Sequence, residues 1–101
     1  RQRIAIARAL ILDPEVLILD EPTSALDRSI QVEILNLLKN IQKQKGLSFI
    51  FISHDLKVVR SISHRIMVLE KGRVVEFDET ETLFKSPTQA YTKLLIHSAM
   101  D

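Results

Sequence analysis

Runs of consecutive large apolar residues alternate along this chain with stretches in which apolar positions recur every three or four residues. The first kind reads as strand and the second as helix. Val16-Leu17-Ile18-Leu19 lacks polar alternation, the pattern of a strand covered on both faces in a parallel sheet flanked by helices. Phe49-Ile50-Phe51-Ile52, aromatic and β-branched and bounded by Ser48 and Ser53, predicts a second buried strand. Between them, from Arg28 to about Lys45, Ile30, Ile34, Leu37, Leu38 and Ile41 share one amphipathic stripe, so a helix with that stripe in the core is expected. Asp27 is its candidate N-cap and Gly46 its stop. A strand, a long helix and a second strand need a crossover; such crossovers are right-handed and leave the two strands parallel.

The flanking segments follow the same logic. Arg1 to Leu12 is a helical pattern with Ile4, Ala7 and Ile11 on one face, small residues Ala5, Ala7 and Ala9 that permit close packing, and Asp13-Pro14 as its end. Pro22 fixes the backbone after the first strand, where Thr23 and Ser24 supply turn hydroxyls. Downstream, Leu56 to about Ile62 is a short helix presenting Val58, Val59 and Ile62. Ile66 to Leu69 is a third strand, and Val74 to Phe77 returns across Lys71-Gly72 as a hairpin. Thr80 or Thr82 is expected to cap a short helix through Phe84 that Ser86-Pro87 breaks, and Tyr91, Leu94, Leu95 and Ser98 mark a last helix. The class is α/β, with parallel core strands, a C-terminal β-hairpin and flanking helices.

Composition narrows the setting. With 101 residues the chain is one domain at most, burying only ~60 to 65% of its unfolded surface. It is 46% apolar, and no run approaches the ~18 apolar residues that span a bilayer. Fourteen basic and thirteen acidic residues leave a charge of +1, which gives no electrostatic reason to expect nucleic acid or lipid as a partner. The absence of cysteine excludes a disulfide framework, a thiolate metal site and a cysteine nucleophile, and suits a reducing compartment. The first residue is Arg1, already within a helical pattern and with no targeting signature, so the chain reads as a piece of a longer protein.

Chemistry is expected at the strand ends. In open α/β sheets ligands bind beyond the carboxyl ends of the strands. Asp20 and Glu21 follow the first strand and His54 the second, so parallel strands bring all three to one edge. Adjacent carboxylates there suit phosphoryl transfer: one holds magnesium, usually through water, and the other orients and deprotonates an attacking water. A histidine beside them can donate a hydrogen bond to a terminal phosphate as charge develops. For a bare Asp-Glu pair a helix cap or solvated loop charge is the commoner origin, and a lone histidine is more often structural; only their placement favours chemistry. Ser53-His54-Asp55 has the residue types of a hydrolytic triad, but adjacent residues cannot make a triad's successive hydrogen bonds. His64 and His97 lack a comparable setting and read as surface residues.

Three segments together carry more information: Arg-Gln-Arg-Ile-Ala-Ile-Ala-Arg-Ala-Leu, then Leu-Ile-Leu-Asp-Glu-Pro-Thr-Ser-Ala-Leu-Asp, then Ile-Ser-His-Asp. Their arrangement resembles the second half of the nucleotide-binding domain of ATP-binding cassette (ABC) proteins, over essentially the whole chain. The resemblance implies an incomplete P-loop NTPase (RecA-like) sheet, with residues 1–101 as part of one nucleotide-binding domain and ATP and Mg2+ as cofactors. Val16 to Glu21 are similar to the Walker B strand, with Asp20 on the magnesium side and Glu21 the catalytic base. Ser24-Ala25-Leu26-Asp27 resemble the D-loop, which contacts the opposite subunit of a head-to-tail dimer, and Ser24 and Asp27 are thereby implied as cofactor contacts along with Asp20. His54 resembles the switch histidine that reaches the γ-phosphate, and Arg1 to Leu12 the helix leaving the signature motif.

No Gly-x-x-x-x-Gly-Lys-Ser/Thr loop is present, and the Leu-Ser-Gly-Gly-Gln signature, the glutamine loop and the adenine-stacking aromatic are missing too. These residues alone are not expected to hydrolyse ATP. In the family another strand lies between those at 49–52 and 66–69, so two apolar edges are expected to stand unpaired and the isolated piece to be marginally stable or to aggregate.

The tail refines the resemblance. Gly72-Arg73-Val74-Val75-Glu76, Thr82-Leu83-Phe84 with Ser86-Pro87, and Tyr91-Thr92-Lys93-Leu94-Leu95 are similar to the C-terminal extension of ATPases in the peptide and nickel importer group, some of which fuse two cassettes. That group often has glycine near Asp78 and His-Pro before the tyrosine, where this chain has Gln89-Ala90. The implied partners are integral membrane permeases and a second nucleotide-binding domain, with no nucleic acid, at the cytoplasmic face of the membrane. The alternatives are a soluble cassette ATPase of DNA repair or translation, and an inactive truncated remnant.

Overall fold

The computed structural model describes residues 2–100. The elements in order are α1 (Gln2–Ile11), β1 (Val16–Asp20), α2 (Arg28–Lys45), β2 (Ser48–Ile52), α3 (Leu56–Ile62), β3 (Arg65–Glu70), β4 (Arg73–Glu79), α4 (Thr80–Lys85) and α5 (Ala90–Met100). They form two compact units, the first running to Ser53 and the second starting at His54. Among the described residues the strands make one parallel pair and one antiparallel hairpin, as the α/β class predicts. No helix among them is long and apolar enough to cross a membrane.

In the first unit β1 pairs with β2 in parallel, Val16 opposite Ser48 through Asp20 opposite Ile52. Only one face of β1 is buried: Leu17 and Leu19 are covered, while Val16 and Ile18 are 50% and 64% exposed. On β2, Phe49 and Phe51 are half-buried and Ile50 and Ile52 exposed. The expectation of two strands covered on both faces is corrected accordingly. A continuous aliphatic run fits a strand with two covered faces, but whether a second layer is present depends on other segments.

Helix α2 has the predicted limits and caps. Asp27 accepts from Ile30 N at 3.0 Å, and Gly46, at φ 66°, donates its N–H to the Gln42 carbonyl at 2.8 Å. Glycine takes this left-handed position without steric cost. The buried face is Ile34, Leu35 and Leu38, with Leu37 and Ile41 half-buried and Ile30 exposed, so the core stripe is rotated towards Leu35. On α1 the buried residue is Ile6, while Ile4 and Ile11 are 60% and 80% exposed, opposite to the expected face. This helix is apolar nearly all round, so periodicity alone does not choose its inward side.

The second unit is built on the β3–β4 hairpin, packed by α3, α4 and α5. Lys71 and Gly72 form its turn, both with positive φ (52° and 77°), as a two-residue type I′ connection requires. Its core is Val59, Ile66, Val68 and Leu83, against which Val75, Phe84, Tyr91, Leu95 and Ile96 pack. Leu94 is 61% exposed and Ser98 exposed, so the inward stripe of α5 is Tyr91, Leu95 and Ile96 rather than the predicted set. Neither expected threonine caps α4. Its N-cap is Glu79, without a side-chain bond, and the Thr80 hydroxyl instead donates to the Ser63 carbonyl at 2.7 Å.

A β-bulge reverses the expected facing of β4. Val68 lies opposite Glu76 and Leu69 opposite Val74, so Val75 is an extra residue. Unbroken pairing from the turn would put Val75 and Phe77 inward. With the bulge, Glu76 is buried at 9% exposure and Phe77 is 53% exposed, with the Arg65 guanidinium 5.9 Å from its ring centre. The Glu76 carboxylate accepts from Thr88 N at 2.9 Å, Thr88 Oγ1 at 3.1 Å and Gln89 N at 3.1 Å, immediately before α5. Half-exposing a phenylalanine forfeits about 1 kcal/mol of burial, whereas each hydrogen bond to a charged acceptor is worth ~1.5 to 3 kcal/mol. The donors win, and the bulge follows. Burial pushes the Glu76 carboxyl up, but the Thr88 N–H, the nearby Thr92 hydroxyl, the Gln89 N–H and the Thr88 hydroxyl together outweigh it and hold the group below its ordinary value. Thr92 Oγ1 is itself buried and makes no hydrogen bond of ordinary geometry.

Candidate functional site

Strand β1 ends by delivering two carboxylates to one turn. Asp20, exposed, is the last residue of the ladder, and the Glu21 N–H extends the pairing by donating to the Ile52 carbonyl at 2.8 Å. Glu21 then leaves the strand with φ 50°. A left-handed glutamate is unusual, and a following proline favours extended backbone at the residue before it, so Pro22 makes this conformation costlier. Ala25, with φ 64°, is a second left-handed residue in the same turn. Such positions cost ~1 to 3 kcal/mol each and persist where the surroundings over-determine them.

Hydrogen bonds supply that determination. The Glu21 carbonyl accepts from Ser24 N at 3.3 Å and Ser24 Oγ at 3.1 Å, and the Thr23 carbonyl accepts from Leu26 N at 3.4 Å. Pro22 and Thr23 are buried beneath, while Glu21 is half-buried and Ser24 exposed. The turn closes on Asp27, whose Oδ1 accepts from Ile30 N and Ser29 Oγ, both at 3.0 Å. The Ile30 N–H first, and the Ser29 hydroxyl second, hold the Asp27 carboxyl below its ordinary value.

The sequence-predicted residues therefore divide. Asp20, Glu21, Ser24 and Asp27 stand together on one turn of the first unit. His54, exposed, opens the second unit two residues after Ile52, and Asp55 after it caps α3 by accepting from Lys57 N at 3.1 Å and Val58 N at 3.3 Å. His64 and His97 are exposed. Asp20 also borders a cleft of about 190 Å³ lined by Ala5, Ile6 and Ala9 of α1 and by Pro22, smaller than the ~300 Å³ at which ligand pockets begin.

Among the described residues no cluster of three or more histidine, cysteine or acidic groups could hold a metal. The exposed Asp20 carboxylate offers hard oxygen donors at the strand end, beside Glu21. That set fits magnesium, which is commonly held by one or two carboxylates and completed by water and substrate phosphate. Sequence reasoning located the turn but not its backbone, because glycine or asparagine signals positive φ and glutamate does not.

Several known proteins are similar to this chain. Residues 2–60 match the family model described as "AAA domain, putative AbiEii toxin, Type IV TA system". The chain is 57% identical over 96 residues to the oligopeptide transport ATP-binding protein OppF of Streptococcus pyogenes, covering 95% of this chain and 31% of that protein. It is 52% identical over 96 residues to the dipeptide transport ATP-binding protein DppF of Haemophilus influenzae, covering 95% of this chain and 29% of the relative. The structure of CbiO1 from Clostridium perfringens, part of the ABC transporter complex CbiONQ, superposes with a TM-score of 0.77 at 38% identity, covering 83% of this chain and 34% of that one. The chain thus spans about a third of the length of the curated relatives it matches. It belongs to the AAA-domain family, and 95% of it is homologous to part of the ATP-binding proteins of ABC transporters.

Proposed function

We propose that this chain is the Walker B, D-loop and switch-histidine part of one nucleotide-binding domain, in an ATP-hydrolysing subunit that energises uptake of peptides or related small solutes. The observation that carries the proposal is the carboxyl end of β1, where Asp20 is the fifth residue of parallel pairing and Glu21 after it enters a left-handed turn. The names of the relatives, oligopeptide and dipeptide transport ATP-binding proteins, support the solute class.

In this reading Asp20 holds magnesium through water. The ion supplies charge neutralisation of the nucleotide phosphates. Glu21 orients a water and accepts its proton as the water oxygen bonds to the terminal phosphorus and the bond to the bridging oxygen breaks, ADP leaving with that electron pair, and His54 donates to the terminal phosphate. Ser24 and Asp27 belong to the loop that meets a second nucleotide-binding domain in a head-to-tail dimer. The phosphate-binding loop and signature motif come from outside these 101 residues. Integral membrane permeases are the remaining partners, and the subunit works at the cytoplasmic face of the membrane.

The test uses the full-length protein. Glu21→Gln is expected to lower ATP turnover by about 10² to 10⁴, the usual contribution of a positioned base, while magnesium-dependent ATP binding is retained because Asp20 is intact. Turnover at the wild-type rate would refute the assignment. Reconstitution with the permeases and uptake of a labelled oligopeptide tests the solute class.

A further inference from the structure

We infer that Ser24 is a positioning residue for Glu21: its hydroxyl pins the strained backbone from which the carboxylate works, in place of the direct nucleotide contact that a D-loop serine suggests. This rests on the reading of Glu21 as the base. Glu21 is left-handed at φ 50° and precedes Pro22, so its backbone has no intrinsic preference for the conformation it holds. It is tied on both sides. Its N–H donates to the Ile52 carbonyl at 2.8 Å, and its carbonyl accepts from Ser24 N at 3.3 Å and Ser24 Oγ at 3.1 Å.

Of these three ties only the hydroxyl can be removed by substitution. Both bonds from Ser24 are slightly long for their types, so the hydroxyl carries about half of the hold on the carbonyl side. Ser24 is exposed, and removing its hydroxyl opens no core cavity. What the substitution loosens is the peptide unit that carries the Glu21 side chain. A base must stay within hydrogen-bond reach of the water it deprotonates, and a shift of about 1 Å can cost on the order of 10²-fold in rate.

In the full-length protein, Ser24→Ala is expected to lower kcat about three- to ten-fold, the rate equivalent of one ordinary hydrogen bond, with the KM for ATP unchanged. Ser24→Thr, which keeps the hydroxyl, restores kcat. Ser24→Cys, similar in size with a weaker donor, falls between. In a Glu21→Gln background Ser24→Ala causes no further loss, because the serine acts through the carboxylate. Wild-type kcat in the alanine and cysteine variants would overturn the inference, as would an additive loss in the double variant. A raised KM at unchanged kcat would return Ser24 to the role of nucleotide ligand. Should Glu21→Gln alone turn over at the wild-type rate, the assignment of the base fails first, and the serine's role with it.

Discussion

Each unit has a glutamate on which its organisation turns, and the two are treated in opposite ways. Glu76 is buried and receives three hydrogen bonds, from Thr88 and Gln89, that seat the start of α5 on the hairpin. Glu21 is half-buried, stands on left-handed backbone, and has its own peptide unit held at both ends. At Glu76 the side chain is the tie and the backbone yields, by a bulge. At Glu21 the backbone is tied, at the strand end where the proposed chemistry lies. A carboxylate saturated by protein donors is a poor base, because those donors stabilise the charge it would have to give up. With Glu21 as the proposed base, the molecule separates the two uses of one residue type.

Removing charge at each glutamate should break that contrast in opposite senses. At Glu21 the expected loss is the largest, about 10² to 10⁴ in turnover. Thermal stability should stay near wild type, since glutamine fills the same half-buried position with a side chain of the same size. A large fall in the melting midpoint of Glu21→Gln, measured beside turnover, would mean that Glu21 also serves the fold.

At Glu76 the order reverses. Glu76→Gln leaves one acceptor and brings an NH2 against the N–H of either Thr88 or Gln89, which donate to different oxygens, so a cost of about 1 to 3 kcal/mol is expected. Protection of the α5 amides from hydrogen exchange should drop by about five- to a hundred-fold if the helix opens locally. Unchanged protection would show that the apolar seat of Tyr91, Leu95 and Ile96 holds α5 by itself. The pH dependence carries a definite sign. The native carboxyl lies below its ordinary value of 4.5, so its stabilisation is complete above that pH and is lost as the pH falls through the native value. The glutamine variant should remove this acid-dependent component.

Much of this was legible in the sequence, and the failures have one cause. Strands, long helix, hairpin turn and the caps at Asp27 and Gly46 follow from periodicity and turn chemistry, which are local. The carboxylates at the end of β1 follow from topology, because parallel pairing puts the last residue of a strand at a predictable edge. Which face of α1, α2 or α5 turns inward did not follow, since each carries more apolar residues than one face needs. Nor did the inward Glu76, whose donors lie twelve and thirteen residues away and outweigh the alternation of Val75 and Phe77. The left-handed Glu21 was equally hidden: bonds to Ile52 and Ser24, rather than its own preference, fix it.

The smallest effect is expected at Asp27, which stands between the two cases. It caps α2 through Oδ1, a structural duty, and it belongs to the loop proposed to meet a second nucleotide-binding domain. Asparagine keeps an acceptor and caps as well as aspartate, so Asp27→Asn tests charge while Asp27→Ala tests the cap. If capping is the only duty, alanine should lower the thermal midpoint slightly, asparagine should restore all of it but the part owed to the charge, and turnover should be the same in both. The cap's charge contribution is present above the ordinary carboxyl value of 3.8 and fades as the pH falls through the depressed native value, so the aspartate–asparagine difference should vanish in acid. A loss of turnover in Asp27→Asn with an unchanged midpoint would place Asp27 with Glu21, as a residue whose carboxylate serves turnover rather than its own helix.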